Sequence, residues 1–440
     1  MIASAPPWLV LGAAWLALFL YAFPGQMTKD SFDHLGEVRS GMYTDSHPPA
    51  ITWLWRVCEL FVVGPAGMLV VQLTTFLLGL YGVMRVTFTP RAAAWVTAML
   101  YVWPPVMLPF AVIWKDGVMA GCLMLGAAGL CSGRRRARLL ALVPLWFASA
   151  VRYNAFGATL PLVVLLFEWR EGLPWIKRYA LACTAWLAVT LAAFGFNAAL
   201  ADKKMHFWHS SLAVFDIVGT LDHVDDMPDD ELVRLFEGTE LKPQRDIHQA
   251  IRSIYNPRDF MPIIDGNGLW GLPIQGTVPA PAAQRDAIGR AWWEVVSGHP
   301  LAYLEHRLTV FGEVIGLGEK SLVVIPRDMR WPELAQQFGL QTRWTKLQYK
   351  LSDGLRWLDR HTSLFVPWIY LVLSLVLLPL ARRHRDVLAL LLSGLVLVSS
   401  LVFLAPSVDY RYSHWMVVCT LVAVVVVTAR RIANVREARP

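Results

Sequence analysis

Gln26-Met27-Thr28-Lys29-Asp30-Ser31-Phe32-Asp33, and then Asp45-Ser46-His47-Pro48-Pro49, follow directly on the apolar run Trp8–Phe23. An apolar run that gives way to clustered carboxylates marks where a chain leaves lipid for water. Wound as a helix, Asp30, Asp33 or His34, and Glu37 share one face, while Phe32, Leu35 and Val38 share another. That pattern predicts an amphipathic helix lying in the membrane plane, its acidic side turned to water or a cavity. Pro48-Pro49 bars helix at His47 and fixes the end of the loop. The plain alternative is a solvated helix whose charges carry no chemistry, and the held His-Pro-Pro end argues against it.

Composition points the same way. The 440 residues are 56% hydrophobic and 17% charged, against about 25% charged in an ordinary soluble chain. The abundant Trp suits membrane interfaces. The fold class expected is therefore an all-α polytopic membrane protein. The net charge of +7 does not indicate nucleic acid. Arg134-Arg135-Arg136, Arg382-Arg383 and Arg430-Arg431 fall in short gaps between apolar runs, where cytoplasmic loops collect positive charge. The five cysteines form no spaced pairs, so neither a disulfide framework nor a CxxC metal site is expected.

Apolar runs stand at Trp8–Phe23, Pro65–Val83, Ala92–Val112, Gly117–Cys131, Leu139–Val151, Ala155–Phe167, Tyr179–Ala198, Leu364–Leu380, Val387–Leu404 and Ser413–Val427. At roughly 20 residues per span these make about ten transmembrane helices. The fifth and sixth runs are short and enclose Arg152-Tyr153-Asn154, as a partly crossing hairpin would. With the basic gaps inside, residues 24–64, Trp114–Asp116, Arg152–Asn154, 202–362 and Ser407–Tyr412 fall on the outer face. Three parts follow: an N-terminal membrane module 1–200 with its external loop 24–64, an extracytoplasmic, α-rich segment 201–362, and C-terminal membrane helices 363–440. The first run lacks a basic leader and an Ala-x-Ala site, so an uncleaved span is expected. Leu308–Ile325 is apolar but carries Glu313, Glu319 and Lys320. Each would cost about 2.5–3.5 kcal/mol at a span centre, which places the run at the interface, packed against the bundle.

Ionisable residues gather where the topology puts the outside. Trp114-Lys115-Asp116-Gly117 lies between two apolar runs, as a helix cap or as a second carboxylate facing Asp30 with Lys115 as an anion ligand. Arg152, Arg307 (after Gly298-His299-Pro300) and Arg411 (in Asp409-Tyr410-Arg411-Tyr412) are each explicable as interfacial arginines beside aromatics. Together with Lys115 they depart from the positive-inside trend, and a phosphate in a low-dielectric cleft needs such a collar of cations. The scattered His and Asp of 206–226 have no ligand spacing and predict a solvated surface rather than a metal site. Trp270-Gly271-Leu272 and Trp292-Trp293 offer flat faces for stacking on sugar rings, or anchors to the interface. Walker, HExxH, GxSxG and Rossmann patterns are absent from the sequence.

The order of these features resembles the GT-C superfamily of membrane glycosyltransferases, in particular the branch with the lipid A aminoarabinose transferase, the protein O-mannosyltransferases and the Rhizobium galacturonosyltransferases. The carriers are Asp30 at the start of the first external loop, the helix through Arg39, and His47-Pro48-Pro49 before Trp53-Leu54-Trp55. The family's second acidic position falls on Asp116, its Arg near the short fifth span on Arg152, and its late Arg-Tyr on Arg411-Tyr412. Ser31 stands where the family usually has a second acid, and 202–362 matches nothing in it.

The resemblance implies an inverting glycosyltransferase of a bacterial inner membrane, facing the periplasm or exterior. It would move a sugar from a polyprenyl-phosphate donor to a lipid, glycan or protein. Asp30 is then the expected base, with Asp116 and His47 as catalytic partners. Lys115, Arg152, Arg411 and Arg307 are expected on the donor phosphate, and Asp33, Asp45, Tyr410 and Trp270 on the acceptor. No cofactor is required beyond room for a divalent cation, Mg or Mn. A flippase for a lipid-linked sugar, or a polymerase or ligase using a diphosphate donor, are the competing readings.

Overall fold

The computed structural model describes residues 5–166, 172–224, 227–241, 247–264, 281–326, 332–340 and 344–437. Each apolar run of the sequence becomes helix over most of its length. The chain runs α1 (Pro7–Ala22), α2 (Lys29–Ser40), α3 (Pro49–Glu59), α4 (Ala66–Met84), α5 (Pro90–Tyr101), α6 (Pro104–Phe110), α7 (Lys115–Leu130), α8 (Arg135–Leu140), α9 (Leu142–Val151), α10 (Ala155–Leu166) and α11 (Trp175–Leu200). The following segment holds α12 (Val214–Asp222), α13 (Asp229–Leu235), α14 (Ile247–Ile254), α15 (Met261–Ile264), α16 (Ala282–Gly298), α17 (Pro300–Ile315), α18 (Pro332–Gln337) and α19 (Lys346–His361). The last part is α20 (Pro367–Ala381), α21 (Arg385–Leu404) and α22 (Tyr410–Glu437).

Among the described residues α4, α11, α21 and α22 are long and apolar enough to cross a membrane, and α1, α10 and α20 are shorter apolar helices. The expected ten runs are thus present as helices, yet fewer have full spanning length. The run Ala92–Val112 departs furthest from expectation. It breaks after Tyr101 into α5 and α6, which meet at 71°. Pro104 and Pro105 start α6. Proline is tolerated at a helix start, where its missing N–H is an orphan anyway, but inside a continuous helix it clashes with the preceding turn.

One device ties the end of this bent region to α4, and another packs α4 on α7. The buried Gln72 side chain donates from Nε2 to Phe110 O (2.7 Å) and Val112 O (3.0 Å), satisfying carbonyls left open where α6 ends. Close approach of α4 and α7 rests on small residues: a Cβ at Gly121 would stand 3.2 Å from Phe76 N, and one at Gly79 would run into the Leu125 backbone. Without a hydrophobic drive between helices in lipid, such backbone proximity is what packs them.

The segment 201–362 sits on the same end of the bundle. Within it α12 packs on α16 and α17, and α17 rests in turn on α20, α21 and α22. The apolar run from Leu308 therefore lies against the bundle, and α17 stops at Gly316, whose φ of +76° suits glycine. At its other edge, Gln348 of α19 caps α1 by donating to Tyr21 O (3.0 Å) and Phe23 O (2.9 Å).

Candidate functional site

A cavity of about 1580 Å³ opens where the helical bundle meets the segment 201–362. Its charged end is built by two short crossings. Gln26 N–H donates to Ala111 O (3.2 Å) and Ile113 N–H to Gln26 O (2.8 Å), so the start of the first loop lies beside the residues leading into α7. Ser31 Oγ then donates to Ile113 O (2.7 Å) while accepting from the Thr28 N–H (3.0 Å), and the Trp114 indole donates to Thr28 Oγ1 (2.9 Å). This explains the serine beside Asp30: the position is fully buried and occupied by a cap, with no solvent for a second carboxylate.

These crossings bring Asp30 opposite Lys115 and Arg411. Arg411 Nη1 lies 2.9 Å from Asp30 Oδ2, and its Nε lies 3.0 Å from Asp409 Oδ2. Its guanidinium sits 4.6 Å over the Trp114 ring, a cation–π contact in a water-poor place. Lys115 Nζ is 2.8 Å from His47 Nδ1 and has no carboxylate within salt-bridge distance among the described residues. Asp116 is buried and pairs with Arg152, whose Nε also donates to Asn154 Oδ1 (3.0 Å). The N-cap of α7 is Trp114, so Asp116 does not cap the helix.

Burial would raise the Asp30 carboxyl, but Arg411, with His47 and Lys115 behind it, outweighs this and holds it well below the usual carboxylate range. His47 is pushed down to about 3, by burial first and by the Lys115 charge second, so its ring is neutral and Nδ1 accepts from the ammonium. A histidine depressed in the fold is protonated first in the unfolded chain. Stability should therefore fall as pH drops below about 6.5 and keep falling until the folded ring itself titrates near 3. Replacing His47 by Asn should flatten the loss of melting temperature between pH 7 and pH 4.5. An unchanged slope would assign that loss to other groups.

Arg152, Asp33, Lys115, His47, Asp30 and Arg411 all line the cavity. Asp33 is tied to Lys29 at 2.7 Å on its exposed rim. Of the other expected residues, Asp116, Asp45, Tyr410 and Arg307 do not line it. Asp45 accepts from the Met205 N–H, and its carbonyl accepts from Tyr153 Oη (3.2 Å), so it pins the loop to the segment 201–362 and to the turn before α10. Tyr410 is buried with its hydroxyl on Pro105 O (3.0 Å), turned into the bundle because α22 packs there on α6. Arg307 is fully buried against Asp216, away from the cavity, since α17 faces α12 at that turn. Trp292 likewise spends its indole N–H on Asp216 (2.8 Å). Trp270 lies outside the described residues.

Asp409, which lines the cavity and shares Arg411 with Asp30, is not among the residues expected from the sequence. Its signal was present in the Asp-Tyr-Arg-Tyr run. Nor does the sequence single out the apolar wall of Phe156, Phe194, Leu401 and Leu404, which look like ordinary span residues. A divalent ion does not fit the donor set. Among the described residues no three metal-ligating side chains converge, and Asp116 and His47 already face Arg152 and Lys115.

No family model matches the chain, and no curated protein matches it. Among solved structures, the chain resembles the ArnT from Cupriavidus metallidurans bound to undecaprenyl phosphate, over 97% of this chain and 78% of that one, at 14% identity and a TM-score of 0.36. A likeness that loose says nothing of activity, which has to come from the cavity's own residues.

Proposed function

We propose that the protein is an inverting membrane glycosyltransferase that takes its sugar from a polyprenyl-phosphate donor on the outer side of the membrane. The carrying observation is the polarity of the cavity: Asp30, Lys115, Arg152 and Arg411 meet at one end, and Phe156, Phe194, Leu401 and Leu404 form an apolar wall beside them. Such a site suits a molecule with an anionic head and a lipid tail. A hydrophilic anion bound for transport would have no use for the wall.

In this reading Arg411 and Lys115 receive the donor phosphate, with Arg152 beside them. Asp30 takes the proton from the acceptor hydroxyl as that oxygen attacks the anomeric carbon. The bond from that carbon to the phosphate oxygen breaks, its electron pair leaves with the phosphate, and the cations stabilise the charge there. Attack from the face opposite the leaving group inverts the anomeric centre. Neutral His47 orients Lys115 through their 2.8 Å contact. Residues 203–210, 259–261 and 281–288 supply the upper wall, where the acceptor would enter.

Incubation of the purified protein with undecaprenyl-phosphate sugars and with undecaprenyl-diphosphate sugars tests this. Release of undecaprenyl phosphate with the monophosphate donors alone is the expected result. Turnover of the diphosphate donors alone would make it a polymerase or ligase, and translocation without transfer a flippase. Mass spectrometry of copurifying lipids would name the sugar.

The sidedness has its own test. In a cysteine-free background, Cys placed at exposed Met42 should react with an impermeant maleimide from outside, and Cys at exposed Arg135 only from the cytoplasm. Labelling of position 42 from the cytoplasm would remove the model.

A further inference from the structure

Deep in the segment 201–362 lies an ion pair that the reaction above does not use. Asp216 of α12 pairs with Arg307 of α17, both with almost no solvent contact. Around them Trp292 donates to Asp216 Oδ2 (2.8 Å), His306 Nε2 lies 3.5 Å from Asp216 Oδ1, and Tyr255 Oη is 2.9 Å from His306 Nδ1. Gly219 faces the His306 ring with no room for a side chain. Desolvating two charges is expensive, and an apolar pair of similar volume often serves stability as well, so such a pair invites a specific task.

The second arm of Arg307 supplies one. Its Nη1 donates to Ala405 O (3.1 Å), at the end of α21. The residues that follow are strapped by the same segment: Phe260 N–H donates to Pro406 O (3.2 Å), Val408 N–H to Arg258 O (2.9 Å), and Tyr410 N–H to Leu322 O (3.0 Å). Between the last two straps stands Asp409, whose carboxylate holds both the Arg411 N–H (3.0 Å) and its Nε (3.0 Å). Arg411 then reaches Asp30. The ties on Ala405 O, Pro406 O, Val408 N–H and Tyr410 N–H all come from 201–362.

We propose that Arg307 is a positioning residue for Arg411. By fixing the Ala405 carbonyl to the buried Asp216 it sets the segment 405–409, and through Asp409 it sets the angle at which Arg411 meets an anionic headgroup. The proposal rests on the reading of Arg411 as a donor-phosphate ligand. It gives the external segment a part in the chemistry beyond covering the cavity.

The test uses the full chain in nanodiscs and the variant Arg307→Lys, which keeps charge for Asp216 but lacks the fork that serves two acceptors. Hydrogen exchange should quicken at the Val408 and Tyr410 amides. Binding of undecaprenyl phosphate, the probe, should weaken about tenfold, within the range of coupling between linked residues. In an Arg411→Ala background, Arg307→Lys should weaken it no further. Arg430→Gln, which breaks the Arg430–Asp386 pair at the other end of α21 and α22, should lower melting temperature and leave probe binding alone. Unchanged exchange at Val408 and Tyr410, or an additive loss in the Arg411→Ala background, would overturn the proposal. If Arg411→Ala binds the probe as wild type does, the donor reading falls, and the exchange data still decide whether Arg307 holds the segment. Should Arg307→Lys not fold, Arg258→Lys loosens the same strap from its half-buried edge, where Arg258 spans Glu313 and Lys320 O (2.9 Å), with the same expected result.

Discussion

Asp30→Asn should lower sugar transfer by about 10²–10⁴-fold, the range a positioned general base contributes, while donor binding changes little. In the proposed reaction the effect depends on Arg411. At rest the Asp30 carboxylate faces that guanidinium at 2.9 Å and is held well below the usual carboxylate range, which makes it a poor proton acceptor. A donor phosphate arriving at Arg411 competes for the same N–H groups. Once the guanidinium turns to the phosphate, Asp30 loses its largest stabilising charge, and its affinity for a proton rises as the acceptor hydroxyl comes into reach. Base strength is thereby delivered with the donor bound, so the loss should fall on kcat. The amide of Asn keeps the shape and cannot take the proton. Activity within a few-fold of wild type would mean that another carboxylate, Asp409 being the nearest on Arg411, does the work.

How much of this could be read from residues alone depends on whether the signal was local. Loop 24–64 was legible because the acids of Asp30–Glu37 recur at helical spacing against Phe32, Leu35 and Val38, and those three are buried in α2. Lys115, Asp116, Arg152 and Arg411 stood out because charge inside apolar sequence is costly and therefore rare. Partners were not legible. Nothing in the spacing tells that Asp116 belongs to Arg152, or that Arg307 meets Asp216 within the segment 201–362, because those pairings are set by how helices far apart in sequence cross. The bend between α5 and α6 had a local signal in Pro104-Pro105, which hydropathy alone averages away. Phe156, Phe194, Leu401 and Leu404 show the opposite limit: on an apolar helix, a residue that faces a cavity has the same chemistry as one that faces lipid.

The second large effect concerns Asp116 and Arg152, and it separates holding the fold from doing chemistry. Asp116→Asn strands the buried Arg152 guanidinium, since among the described residues no other carboxylate lies within salt-bridge distance of it. Removing one member of a buried pair costs about 3–5 kcal/mol, read by reversible unfolding in detergent. The double variant Asp116→Asn/Arg152→Leu removes the uncompensated charge and should regain most of that stability. Transfer should not return with it. Arg152 lines the cavity beside Arg411 and Tyr412, whereas Asp116 lies behind it out of reach. Asp116 then acts by aiming Arg152, and the leaving phosphate loses a cation that leucine does not supply. If the double variant regains both stability and transfer, the pair is a fold element alone, and the phosphate is carried by Lys115 and Arg411.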